Sequence, residues 1–132
     1  FDCTEAGYAM GQIPALRDVK FIADKRLVDL SYEKAKKVLS EDKIFKGIIA
    51  TGDVFVAKKE IKDRIKKSFN SLCCEMESCS IVHTCHLNDV KYLALRSISD
   101  NANEEADCDF ETFVAESSKV VKSIILDIIK EI

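Results

Sequence analysis

The sequence predicts an α/β fold built on parallel strands, and three observations carry that reading. Short apolar runs of strand length alternate with stretches of helical period. The connections between those runs are long enough to hold a helix, as parallel pairing requires. Gly and Pro, four and one in 132 residues, are too scarce for a loop-rich all-β chain.

The elements follow in order. The opening is irregular, punctuated by Gly7, Gly11 and Pro14. Over residues 24–40, Val28, Tyr32, Ala35 and Leu39 recur at i, i+4, i+7 and i+11, which sets them on one helical face. Residues 45–56 read as a buried strand running into a turn at Thr51-Gly52-Asp53. Residues 58–70 restore the helical period with Ile61, Ile65 and Phe69, residues 71–76 form a short apolar strand, and residues 78–87 return to helix. Residues 90–98 are again strand-like, and an acidic loop spans 100–109. A closing helix carries the stripe Phe110, Phe113, Val114, Ser117, Val121, Ile124, Ile125, Ile128 and Ile132.

Composition narrows the function classes. With 47% apolar and 33% charged residues the chain suits one soluble domain or part of one. The longest apolar stretches, residues 47–50 and 124–129, fall far short of the roughly 20 residues of a membrane span, and no signal peptide is visible. The chain opens on Phe1, so a leader could have preceded it. A net charge of −3 argues against nucleic-acid binding, which leaves a basic footprint. One local exception is residues 58–67, where six cations and two anions share a predicted helix. That face is either a solvated surface or a contact for a polyanion such as a glycosaminoglycan. Six cysteines at 3, 73, 74, 79, 85 and 108 do not make a disulfide framework, because Cys73 and Cys74 are adjacent in an apolar run and no evenly spaced loops surround them. They read as small hydrophobes in a reducing, cytoplasmic setting.

Chemistry is expected at one rim, since ligands of open parallel sheets sit beyond the carboxyl ends of the strands. The three predicted strands end in Gly52-Asp53-Val54-Phe55, in Glu75-Met76-Glu77 and in Arg96-Ser97-Ile98-Ser99-Asp100. Glu75 and Glu77 straddle one apolar residue. A carboxylate turned inward there needs partners, such as Arg96 or sugar hydroxyls, although acids also favour the first turn of a helix. Asp100, held partly desolvated, fits a general acid, and fits a helix cap or turn residue equally well. Cys79, His83 and His86 share a helical face with metal-ligand chemistry, yet lack a fourth ligand at suitable spacing, so packing is the simpler reading. The acidic residues at 100–107 lack the register and central Gly of a calcium loop.

Three strings settle the choice among these readings: Ala50-Thr51-Gly52-Asp53-Val54-Phe55-Val56, Cys74-Glu75-Met76-Glu77-Ser78 and Leu95-Arg96-Ser97-Ile98-Ser99-Asp100-Asn101-Ala102. In order and spacing, with Gly7-Tyr8-Ala9-Met10-Gly11-Gln12-Ile13-Pro14 and the Asp109-Phe110 start of the last helix, they closely resemble nucleosidases of the nucleoside phosphorylase superfamily. The likeness is to the bacterial 5'-methylthioadenosine/S-adenosylhomocysteine type and runs over essentially the whole chain. It implies a three-layer αβα fold, with the chain as the C-terminal part of a single domain. The mixed sheet is then incomplete, because the family's N-terminal half is not among these residues. It further implies hydrolysis of the N-ribosidic bond with release of adenine, no cofactor, no metal and a homodimer.

By the same resemblance, Phe55 stacks on the purine and the backbone of Val56 reads its edge. Met76 lies under the ribose, Glu77 binds the 2'- and 3'-hydroxyls, and Asp100 protonates purine N7 with Ser99 holding it. Glu75 and Arg96 help to order the attacking water, Phe110 closes over the base, and Tyr8 and Pro14 border the 5'-substituent pocket across the dimer interface. Ala6 stands where an aromatic residue is usual, so the 5'-group is left open, and the water-activating glutamate belongs to the family's N-terminal half. Two alternatives are a purine nucleoside phosphorylase, against which Arg96 argues, and a non-catalytic, adhesin-like fragment that holds polyanions through residues 58–67.

Overall fold

The computed structural model describes residues 2–14, 16–99 and 110–132. Four α-helices and two strands make up the regular elements among them. Helix α1 is Lys25–Ala35, strand β1 is Ile48–Thr51, helix α2 is Lys59–Phe69, strand β2 is Ser71–Glu75, helix α3 is Ser78–Leu87 and helix α4 is Phe110–Ile129. Short 3₁₀ turns stand at Thr4–Ala6 and Glu41–Lys43.

Local chemistry sets the element ends. Asp24 caps α1, its carboxylate accepting from the Leu27 amide at 3.0 Å. Asn70, at φ 51°, stops α2 in the left-handed conformation that Asn tolerates better than most residues, and its amide donates to the Lys66 carbonyl at 2.8 Å. Gly11 also turns left-handed, at φ 83°, and a side chain there would meet the Phe69 ring.

Helix α2 is the crossover that lets β1 and β2 run parallel as neighbours, with Thr51 opposite Glu75 at the carboxyl end. Helix α1 packs on α4, and Ala35, Ile124 and Ile128 are buried between them. Leu93, Leu95 and Val120 pack onto that cluster. Lys34, buried beside it, donates to the Glu131 carboxylate just beyond the end of α4. Ile128 is 6% exposed. Ile128→Ala is therefore expected to cost about 2–5 kcal/mol, read as a lower urea midpoint.

Two strand predictions need correction. The strand expected over 45–56 is laddered only at Ile48–Thr51; Phe45 and Phe55 stand outside the ladder, 74% and 75% exposed. The segment 90–98 is extended but forms no ladder. Its alternation has another cause: Leu93 and Leu95 turn to the α1–α4 cluster, and the Tyr92 carbonyl accepts from the Asp24 amide at 3.0 Å.

The sheet is small and open, and the surface reflects it. The chain exposes 10028 Å², against roughly 7,000 Å² for a compact monomer of this mass. Among the described residues no large side chain is fully buried. An open groove of about 1420 Å³ runs over the sheet, lined by apolar groups including Val28, Ile48, Ala50, Leu72 and Val121, and reaches Met76 and Arg96 at the carboxyl ends of the strands. No helix among the described residues is long and apolar enough to cross a membrane.

Candidate active site

The rim is built from three backbone events. Parallel pairing sets Thr51 beside Glu75. The chain then turns sharply after β2 into α3, which aims the first amides of that helix back at the strand end. The extended segment after Tyr92 brings Arg96 alongside.

Glu75 is the hub. Its carboxylate accepts from the Thr51 hydroxyl, from the Glu77 amide at 3.1 Å and from the Ser78 amide at 2.8 Å. Arg96 donates to it as well. A carboxylate offers about four lone-pair positions, and these donors fill them. Glu75 thus takes up the amides of Glu77 and Ser78 at the start of α3, where the helix dipole favours an anion. Burial by itself pushes its carboxyl up, but the Thr51 hydroxyl and the Ser78 and Glu77 amides outweigh it and hold the group below the ordinary carboxylate range.

Glu77 differs in every respect. Its side chain is 64% exposed, against 10% for Glu75, and its carboxylate meets Arg96 at 3.2 Å. The same Arg96 nitrogen donates to the Ser78 hydroxyl at 2.9 Å. One guanidinium therefore serves two carboxylates, one buried by its partners and one presented outward. Met76, between them, is half-exposed and lines the groove.

The other expected site residues divide. Phe55 follows β1 and is largely exposed, and Val56 beside it is half-buried. Ser99 is half-buried three residues after Arg96. Tyr8, half-buried, and Pro14, exposed, stand in the opening segment outside the bonded rim. Asp100 and the rest of the acidic loop lie outside the described residues, as does the side chain of Phe110, which opens α4.

The histidine face of α3 is occupied by packing. Phe21 stacks on His83 with centroids 5.5 Å apart and tilts against His86 at 5.3 Å. Among the described residues no three His, Cys, Asp or Glu side chains converge as a metal site would require. Burial pushes the thiols of Cys73 and Cys79 up, as it does for cysteines that pack and do not react. The basic stretch forms α2, where Lys59 pairs with Asp63 one turn on.

Sequence reasoning overlooked Thr51 and Ser78. Neither carries a charge or an unusual spacing. The signal was the register: in a parallel pair ending together, the residue opposite a buried acid is the first candidate to bond it.

Comparison with known proteins gives a consistent picture. The profile of the Phosphorylase superfamily matches residues 1–130. An aminodeoxyfutalosine nucleosidase of Campylobacter jejuni is 36% identical over 95% of this chain and 53% of its own length. A 5'-methylthioadenosine/S-adenosylhomocysteine nucleosidase of Oceanobacillus iheyensis is 34% identical over 99% of this chain and 56% of its own. The crystal structure of the Campylobacter jejuni 5'-methylthioadenosine/S-adenosylhomocysteine nucleosidase superimposes with a TM-score of 0.88 at 34% identity, covering 99% of this chain and 56% of that one. The chain thus spans about half the length of the curated relatives it matches.

Proposed function

The chain belongs to the Phosphorylase superfamily, in its nucleoside phosphorylase-like α/β fold, and from that premise we propose that its rim is the base and ribose side of a nucleosidase site. The substrate class is a 5'-substituted adenine nucleoside, and the reaction is hydrolysis of its N-ribosidic bond. We propose also that these residues are the C-terminal part of one domain, whose remaining part covers the apolar groove.

The reading rests on one observation: Arg96 ties Glu75 and Glu77 together at the carboxyl ends of the strands and leaves Glu77 facing outward. An outward carboxylate beside an apolar Met76 suits a ribose, taking its 2'- and 3'-hydroxyls as donors. Phe55, exposed on the next turn, supplies a face for the purine, and the Val56 backbone its edge. Tyr8 and Pro14 border the 5'-substituent across a dimer interface, and Phe110 closes over the base.

The chemistry follows from where charge develops. As the C1'–N9 bond breaks, its electron pair goes to the purine and positive charge grows on the ribosyl group. Asp100, steadied by Ser99, donates its proton to N7 and so neutralises the departing base. Glu77 stabilises the ribosyl cation electrostatically. A water bonds to C1', ordered by Arg96, with Glu75 acting through its hold on that guanidinium. The group that takes the water's proton is expected outside these 132 residues.

The same rim speaks against phosphate as the nucleophile. Among the described residues of the rim, the Arg96 guanidinium is already matched to two carboxylates, an arrangement inhospitable to an anion. Adenine release is measured with the protein expressed from its full reading frame, using 5'-methylthioadenosine, S-adenosylhomocysteine and aminodeoxyfutalosine. Release at the same rate with and without phosphate is expected, and the ratio of kcat/KM values identifies the 5'-group. A strict phosphate requirement, or release from none of the three, overturns the reading.

A further inference from the structure

We propose that Thr51 is a positioning residue of this site: its hydroxyl, held between the Cys79 amide and the Glu75 carboxylate, fixes Glu75 and through it the Arg96 that faces Glu77. The inference deepens the nucleosidase reading and rests on it.

The direction of each bond is forced. A carboxylate only accepts, so the hydroxyl proton goes to Glu75; the amide of Cys79 only donates, so it takes an oxygen lone pair, at 3.1 Å. One hydroxyl thus ties the end of β1 to the acid that ends β2 and to the first turn of α3. Beside it stands a backbone link, the Gly52 amide on the Glu75 carbonyl at 3.0 Å, which fixes the main chain and leaves the carboxylate unconstrained.

Thr51 also governs how Arg96 is shared. Glu75 and Glu77 compete for the same guanidinium nitrogen. With the Thr51 bond in place Glu75 is oriented to receive it, and Glu77 is only lightly engaged. Without that bond, one Glu75 oxygen keeps only the longer contact to the Ser78 amide, at 3.1 Å. The carboxylate can then turn, and Arg96 is released toward Glu77, the group required for the ribose.

Among the described residues, the charged and titratable groups that face Glu75 include Arg96, Glu77 and the thiols of Cys73 and Cys79. Burial pushes both thiols up, so they stay neutral in acid and do not obscure a carboxylate titration. The Thr51 hydroxyl lowers the Glu75 carboxyl. Its removal must therefore raise that carboxyl, and the acid side of the pH profile moves to higher pH.

The test compares Thr51→Val, which keeps shape and loses both bonds, with Thr51→Ser, which keeps both. Circular dichroism verifies folding, and adenine release is followed over pH. Thr51→Val is expected to lose roughly 10- to 100-fold in kcat, with KM changed less and the acid limb displaced upward, while Thr51→Ser restores rate and limb. A purely structural role would lower the active fraction without moving the limb. An unmoved limb in Thr51→Val, or no rescue by Ser, overturns the inference. An inactive wild type overturns the nucleosidase reading instead. Where Thr51→Val does not fold, Thr51→Cys, a weaker donor, takes its place with an intermediate displacement expected.

Discussion

Asp100→Asn should lower kcat/KM for adenine release by roughly 10²- to 10⁴-fold, the span that a positioned general acid contributes. Adenine is a poor leaving group as an anion and a good one once protonated at N7, so the acid acts late in bond cleavage and little in binding. Asn keeps the size and can still donate a hydrogen bond, but it cannot give up a proton. KM should therefore stay near the wild-type value while kcat falls. A p-nitrophenyl riboside supplies the control, since its leaving group departs without protonation. On that substrate Asp100→Asn should lose much less. Equal losses on both substrates would assign Asp100 to holding the ribose or the fold, and would remove it as the acid.

Helices were readable from this sequence because a helix is a local object. Residues 78–87 were expected to be helical and α3 is Ser78–Leu87; the cap at Asp24 and the stop at Asn70 lie at the ends of the periodic stretches. Strands were readable only as candidates, since a ladder needs a neighbour that periodicity does not report. Residues 90–98 show this: the alternation is genuine, but it records Leu93 and Leu95 packing on α1 and α4. The stripe on α4 is likewise wider than α1 can cover. Ile124 and Ile128 are buried, whereas Val114 and Ile125 face outward, 43% and 41% exposed.

The candidate site was legible where charge and spacing are unusual, and hidden where they are ordinary. A pair of acids at a strand end demands partners, and Arg96 was a nameable partner because it interrupts an apolar run. A threonine in a Thr-Gly-Asp turn demands nothing, so the hydroxyl that holds Glu75 came only with the register. The partner of His83 and His86 was hidden for a similar reason: Phe21 lies in the irregular segment before α1, far from them in sequence.

Glu75 and Glu77, two residues apart and of one chemistry, should both lose activity on substitution by Gln, but only Glu75 should also lose stability. Glu77→Gln is expected to lose roughly 10²- to 10³-fold in kcat/KM with an unchanged urea midpoint. Its carboxylate is mostly exposed and carries one bond to Arg96, so the fold has little to lose. On the proposed reading, what disappears is the charge that would favour the ribosyl cation and one acceptor for the sugar hydroxyls. Glu75→Gln removes no charge from the substrate side. It does turn one acceptor oxygen into an amino group that faces the Ser78 amide, the Glu77 amide and Arg96, or the Thr51 hydroxyl if the amide flips, and donors facing donors are repelled. That variant should lose about 1–3 kcal/mol of stability through the start of α3, and should lose activity as Arg96 moves. The stability loss should fade in acid. Because the Glu75 carboxyl is held low when folded, its contribution is complete above the unfolded carboxylate value and disappears as pH falls through the folded one. Urea midpoints of the wild type and Glu75→Gln should therefore converge at low pH. A midpoint lowered by Glu77→Gln and untouched by Glu75→Gln would reverse the assignment of the two acids.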